Sequence, residues 1–335
     1  MIGSHQPLTA RYDVALLDLD GVVYAGGEAI AHAVDALEAA RSGGMALAYV
    51  TNNALRTPQS VAEHLTELGV PARAEDVVTS AQAVARLIAD HVPAGAKVLV
   101  VGGEGLRVAL RERGLEPVDS ADDDPAAVAQ GYGGPTMPWE RLAEAGYAVA
   151  RGVPWFASNT DLTIPSGRGI APGNGAAVQV VRIVTGAEPQ VAGKPQPPMH
   201  RETVLRTGAR RPLVVGDRLD TDIEGAHAGG VDSLLVMTGV TDAAGLLAAP
   251  PEHRPTYVGA DLRALLTPHP AVDGDGDGFR CGGWTATADG SALRITGGGE
   301  DAYDGLRAAC AAAWTAAGDG TCDLDAGEAL KQLGL

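Results

Sequence analysis

Two aspartates close the apolar run in "VALLDLDGVVY": Asp18 and Asp20, followed at once by Gly21. Carboxylates that close repel one another and resist leaving water without a positive partner. Three further polar clusters follow strand-like runs: "YVTNN" ends in Thr51, Asn52 and Asn53, "AGKP" carries Lys194, and "VVGDRLDTD" carries Asp217 and Asp222. In an open parallel sheet a site forms beyond the carboxyl ends of the strands, so clusters far apart in sequence can converge there. Asp18 and Asp217 can then share a divalent cation. Mg²⁺ takes oxygen ligands and keeps several waters, so a small number of protein carboxylates suffices, and Lys194 can neutralise further negative charge. Taken singly, each residue also has a plainer reading. Asp18 can be a strand-end turn residue, Thr51 and Asn52 a helix N-cap, Lys194 a loop lysine before Pro195, and Asp217 a cap of the following helix.

The elements that must position these residues alternate along the chain. "DVALLDL" leads to the helix-like "AIAHAVDALEAARSGG", then to the strand "MALAYVTNN", then to the helix "TPQSVAEHLTELGV". That helix repeats apolar residues at Val61, Leu65 and Leu68, starts with Thr57 as N-cap and Pro58 in its first turn, and closes at Gly69. A second block starts at "AKVLVVGGEGLRVALRERG" and runs to a helix near 175–186, and a third block, "RPLVVGDRLDTDIEGAHAGGVDSLLVMTG", resumes the first pattern. The alternation predicts parallel strands with crossover helices. The glycines of "VVGGEGL" lack the G-x-G-x-x-G spacing and read as a plain strand-to-helix turn.

Composition narrows the function classes. The 335 residues carry a formal charge of −17, which argues against a nucleic-acid partner. The three cysteines, Cys281, Cys310 and Cys322, have no zinc-ligand spacing and point to a reducing, cytoplasmic setting. The N-terminal "MIGSHQPLTARYD" has no apolar signal core, and no apolar run approaches transmembrane length, so no membrane partner is expected.

Read together, the four clusters resemble the four motifs of the haloacid-dehalogenase (HAD) superfamily in its phosphatase branch. "DLDGVVY" is similar to the nucleophile motif, "YVTNN" to the second motif, "GKP" to the lysine motif and "GDRLDTDIEGA" to the acidic motif, over roughly residues 12–267. The long insert between Thr51 and Lys194 resembles the α/β cap of class IIA, the NagD and p-nitrophenyl-phosphatase type. "EDVVTSAQ", "PGNGA" and "VVGDRLDTDIEGA" are most similar to the actinobacterial glycerol-3-phosphate phosphatase group. The resemblance implies an α/β fold: a Rossmann-like, doubly wound parallel core at 1–80 and 185–268, and an inserted α/β cap at 81–184. Beyond 268 the character changes, and 269–335 reads as a small α+β extension.

The resemblance also implies roles. Asp18 is the nucleophile that forms an aspartyl-phosphate, and Asp20 is the general acid and base. Thr51, the Asn52 backbone N–H and Lys194 hold the phosphoryl group. Asp18, the Asp20 carbonyl and Asp217 hold Mg²⁺, while Asp222 acts through water or by fixing the Asp217 loop, and Asn53 lines the site. Arg218, Asn159 and Asn174 are the candidates for substrate contact. His200 and His227 read as surface or packing residues.

The expected activity is hydrolysis of a small phosphate monoester, glycerol 3-phosphate first, with a sugar phosphate, phosphoglycolate, pyridoxal phosphate or a nucleoside monophosphate as alternatives. Two other classes stay open: another HAD chemistry and a non-catalytic binding module. Asp20 argues against a dehalogenase or ATPase, and the cap position argues against a mutase. A homodimer is left open. The "DGDGDG" run at 273–278 resembles an EF-hand start, but its twelfth position is Trp284 where a bidentate Glu is needed, so it reads as an acidic loop. The extension reads as an acetyltransferase-like fragment or as a dimerisation or regulatory appendage.

Overall fold

The computed structural model describes residues 1–166, 168–275, 278–321 and 324–335. They form two compact units, Met1–Leu47 with Ala209–Leu335, and Ala48–Gly208. In the first unit, strand Val14–Leu17 is buried along its whole length, as its unbroken apolar run requires of a strand covered on both faces. It pairs in parallel with Pro212–Gly216, which pairs with Asp232–Val236, which pairs with Tyr257–Gly259. The register sets Leu17 opposite Val215, so Asp18 and Asp217 emerge at the same end of neighbouring strands.

The extension belongs to this unit. Strands Asp273–Asp275, Gly278–Cys281, Trp284–Asp289 and Ala292–Gly297 form an antiparallel sheet, and helix Ala302–Ala317 packs on it. The acidic run at 273–278 is therefore not simply a loop: Asp273–Asp275 opens the sheet, and its tip at 276–277 lies outside the described residues. Trp284, Leu306 and Trp314 share one apolar cluster with Ile223, Leu235, Leu246 and Val258. Polar ties accompany it: Trp314 Nε1 donates to the Leu246 carbonyl at 3.2 Å, and the buried Arg307 donates to the Val258 carbonyl at 2.7 Å. Cys281 and Cys310 are buried, and burial with Asp304 beside it pushes the Cys281 thiol up to about 12, so it stays protonated. Cys322 lies outside the described residues.

In the second unit the last residues of strand Ala46–Thr51 pair in parallel with Val77–Thr79. The helices after each strand start as their sequences dictate. The Thr57 hydroxyl accepts from Ser60 N–H at 3.2 Å and caps Pro58–Glu67. Thr79 and Gln82 cap Ser80–Ala89 reciprocally, at 3.3 and 3.0 Å, an arrangement worth about 1 kcal/mol. A five-stranded parallel sheet holds Lys97–Val101, Glu116–Val118, Ala127–Gln130, Trp155–Ala157 and Gln190–Val191. The last of these is a two-residue edge strand, and Lys194 follows it. The lysine loop thus follows the edge strand of this sheet. Pro189, Pro195, Pro197 and Pro198 crowd this stretch and restrict it to a short edge strand. Among the described residues no helix is long and apolar enough to cross a membrane.

Glu202 is the buried electrostatic centre of the second unit. Its side chain is 0 % exposed and accepts from Arg86, from Arg113 at 2.8 Å and from Arg206 at 2.5 Å. Burial opposes its ionisation, but the hydrogen bonds from Arg86 and Arg206 and the charges of Arg206 and Arg113 outweigh it, so its pKa lies below the usual value. A carboxyl with a depressed folded pKa stabilises above its unfolded pKa and loses that contribution as pH falls through the folded one. Glu202→Gln is therefore expected to cost about 3–5 kcal/mol at pH 7. Thermal melts of both proteins should show this gap narrowing as pH drops below about 4; a gap independent of pH would contradict the assignment.

Candidate active site

The acidic half of the candidate site lies in the first unit. Asp18 N–H donates to the Val215 carbonyl at 2.9 Å, which pins the residue just past its strand. Asp217 follows Gly216 and is fully buried, and the turn Leu219–Ile223 returns Asp222, also buried, beside it. One carboxylate oxygen from each of Asp18, Asp217 and Asp222 lies within 4.8 Å of the others. Three carboxylates this close are mutually destabilising unless protonated or bridged by a cation. All three donors are oxygens, which suits Mg²⁺ or Ca²⁺ and not a thiolate-seeking ion. Asp222 falls within the same 4.8 Å limit as Asp217. Asp20 is exposed, two residues beyond Asp18.

The backbone around Asp217 is shaped to hold it. Val240 N–H donates to Asp217 Oδ2 at 2.7 Å, and Thr241 N–H donates to the Asp217 carbonyl at 3.2 Å. Gly21 adopts φ +85°, and a Cβ there would stand 2.5 Å from Asp217 Oδ2; one at Gly239 would stand 2.0 Å from the same oxygen. Both positions therefore need glycine, the first for its conformation and both for space. The Thr238 hydroxyl donates to the Gly21 carbonyl at 2.6 Å and joins the two loops. Thr238, Gly239 and Val240 were missed by sequence reasoning; the "MTGV" that ends an apolar strand was the available signal.

Arg218, a substrate-contact candidate, is engaged by neighbouring carboxylates. Its guanidinium forms a fork on Asp220, with Nε to Oδ1 at 3.0 Å and Nη2 to Oδ2 at 2.7 Å, and its N–H donates to Asp222 Oδ2 at 3.2 Å. This ion pair is exposed on both sides. His227 is exposed, and burial lowers the pKa of the half-buried His200.

The second unit gathers the remaining candidates. Thr51, 5 % exposed, ends its strand, and its hydroxyl accepts from Asn53 N–H at 3.1 Å. Asn53 Oδ1 accepts from Leu55 and Arg56 N–H at 2.8 and 3.1 Å, so Asn53 shapes the loop. Asn52 accepts from Lys194 N–H at 2.8 Å and donates to the Lys194 carbonyl at 3.1 Å. Lys194 Nζ donates to the Val50 carbonyl at 3.2 Å. Asn159 and Asn174, the substrate-contact candidates, are held in the interior. They are 4 % and 1 % exposed, and their amides donate at 2.7 Å to the Asn52 and Asn159 carbonyls respectively. These amide donors support the Asn52 and Asn159 loops. Ser80, unremarked in the sequence, donates to the Asn52 carbonyl at 2.6 Å. The T-x-x-Q capping pattern at 79–82 marks the helix start that places it.

Comparison with known proteins agrees with these motifs. Residues 15–116 match the model for haloacid dehalogenase-like hydrolases, and residues 191–265 match a second model of HAD-hydrolase-like proteins. Residues 281–335 match the GCN5-related N-acetyltransferase like domain, the resemblance read for the extension. The chain is 42% identical over 325 residues to D-glycerol 3-phosphate phosphatase of Mycobacterium tuberculosis, covering 92% of this chain and 88% of the relative. It is similar to the crystal structure of a glycerol phosphate phosphatase from that organism in complex with magnesium, with a TM-score of 0.89, 41% identity and coverage of 98% and 99% of the two chains. An acid sugar phosphatase of Staphylococcus haemolyticus is 37% identical over 259 residues, covering 77% of this chain and 96% of that one. With a relative this similar along almost its whole length, the chain belongs to the haloacid dehalogenase-like hydrolases.

Proposed function

We propose that this hydrolase is a Mg²⁺-dependent phosphatase of small phosphate monoesters, with glycerol 3-phosphate as its first substrate. The observation that carries the reading is the cluster of Asp18, Asp217 and Asp222 at the ends of adjacent parallel strands. Asp18, Asp217 and the Asp20 carbonyl would hold the ion, with Asp222 at hand. When bound, Mg²⁺ supplies charge neutralisation for the transferring phosphoryl group.

The residues of the chain do the rest. An Asp18 carboxylate oxygen attacks phosphorus, an O–P bond forms to Asp18, and the ester O–P bond breaks. Asp20 gives its proton to the departing alkoxide. Water then attacks phosphorus, Asp20 takes its proton, and the Asp18 O–P bond breaks to release phosphate. Thr51, the Asn52 N–H and Lys194 hold the phosphoryl oxygens and stabilise their charge, the main demand in phosphoryl transfer. We assign the cap to 81–184, the core to 1–80 and 185–268, and an auxiliary role to the extension. We place the enzyme in the cytoplasm, acting on a diffusible ester and not on nucleic acid, as a monomer or homodimer.

Glycerol 3-phosphate is favoured by the similarity to the mycobacterial phosphatase over 92% of the chain. The resemblance to the staphylococcal acid sugar phosphatase supports a sugar phosphate as the second reading. Phosphate release from a panel of esters separates them. The expected result is the highest kcat/KM for glycerol 3-phosphate, loss of all turnover in EDTA, and recovery with added Mg²⁺. A sugar phosphate ahead of it would move the substrate. No hydrolysis of any ester with Mg²⁺ would leave the binding-module reading.

A further inference from the structure

We propose that the Asn52 side chain is the positioning residue for Lys194. This inference rests on the phosphatase reading of Lys194 but assigns Asn52 a task separate from its backbone N–H. Asn52 Oδ1 accepts from Lys194 N–H at 2.8 Å, and Nδ2 donates to the Lys194 carbonyl at 3.1 Å. One side-chain amide thus grips the peptide groups on both sides of the lysine Cα, as a paired strand would. The orientation of that amide is not arbitrary. Nδ2 also faces Asp161 Oδ2 at 3.2 Å, so a flipped Asn52 would set oxygen against a carboxylate and a carbonyl, and N–H against N–H.

The grip is itself held from behind. The Asn52 carbonyl accepts from Ser80 Oγ at 2.6 Å and from Asn159 Nδ2 at 2.7 Å. Asn159 is fixed in turn: its Oδ1 accepts from Asp161 N–H at 3.2 Å and its carbonyl from Asn174 Nδ2 at 2.7 Å. Gly193 seats the loop against the amide, since a Cβ there would lie 2.6 Å from Asn52 Oδ1 and 2.3 Å from the Ser158 carbonyl. The lysine loop follows only a two-residue edge strand, so little regular structure restrains it. Asn52 supplies the restraint. Lys194 must deliver its charge to one place, and a misplacement of about 1 Å costs on the order of 10²-fold in rate.

A double-mutant cycle on the full-length enzyme tests this, with kcat/KM for p-nitrophenyl phosphate and competitive inhibition by inorganic phosphate as readouts. Lys194→Met is expected to lower kcat/KM by about 10²-fold or more, and Asn52→Ala by roughly 10–100-fold. Both should weaken inhibition by phosphate. In the double variant, kcat/KM should equal that of Lys194→Met alone, because Asn52 acts through the lysine. Multiplicative losses would overturn the proposal, as would wild-type turnover in Asn52→Ala. If Asn52→Ala fails to fold, Asn52→Asp keeps the acceptor for Lys194 N–H but sets a carboxylate against its carbonyl. The same cycle then applies: a double variant equal to Lys194→Met supports the proposal, and multiplicative losses overturn it. Wild-type turnover in Lys194→Met is a different failure: it would remove the lysine from the phosphatase reading itself.

Discussion

Asp18→Asn is expected to fold normally and to hydrolyse no ester at a measurable rate, a loss of at least about 10³-fold in kcat. An amide in place of the carboxylate is a poor nucleophile toward phosphorus. Asp217 and Asp222 are buried, and Asp217 Oδ2 already accepts from Val240 N–H. The fold should survive because Asp18 is held by its backbone: its N–H donates to the Val215 carbonyl, and the preceding strand is buried along its length. Removing one charge from three carboxylates within 4.8 Å also relieves repulsion in the metal-free protein. The melting temperature without Mg²⁺ should therefore equal or exceed that of the wild type. Single-turnover phosphate release and a thermal melt give both readouts. Turnover near the wild-type level would remove Asp18 as the nucleophile.

Asp217→Asn should be the second large loss, through the metal. It changes a fully buried side chain whose Oδ2 accepts from Val240 N–H and is enclosed by Gly21 and Gly239. The variant keeps the shape, removes one negative charge from the cluster, and replaces one of two acceptor oxygens by an amide N–H₂. If its nitrogen takes the position of Oδ2, it faces the Val240 N–H and the loop must shift. The Mg²⁺ concentration for half-maximal activity should rise by about 10–100-fold, the range for removal of a metal-supporting group. Asp222→Asn should raise it less, because in the proposed assignment Asp217 holds the ion directly, whereas Asp222 acts through water or by fixing the Asp217 loop, its Oδ2 accepting from Arg218 N–H at 3.2 Å. Titration of activity with Mg²⁺ in both variants decides the order. A larger shift for Asp222→Asn would exchange the two roles, which their shared proximity to Asp18 permits.

What was legible in the sequence was whatever depends on near neighbours. The apolar run before Asp18 and the one before Asp217 each mark a buried parallel strand, and a residue just past such a strand has one place to go. Gly21 after the two aspartates marks a backbone turn, and Thr57 with Pro58 marks a helix start; both are short-range effects, and both are present. The family followed from four short motifs in order. What only the tertiary structure decided was whatever depends on partners distant along the chain. Asn159 in a loop and Asn174 at a helix start have polar side chains, which alone suits them to ligand contact. The fold instead brings Asn159 to the carbonyl of Asn52, 107 residues away, and a buried carbonyl must find a donor. Arg218 beside an acidic motif suits an anionic substrate, and the fold shows its guanidinium forked on Asp220. The turn Leu219–Ile223 carries Asp222 back to within 4.8 Å of Asp18 and Asp217, a closeness that only the fold creates. Side-chain type and local propensity determined which residues could do the chemistry. Their division of labour was decided by which buried donors and acceptors the fold left for each to satisfy, because an unpaired polar group in the interior costs more than any local preference supplies.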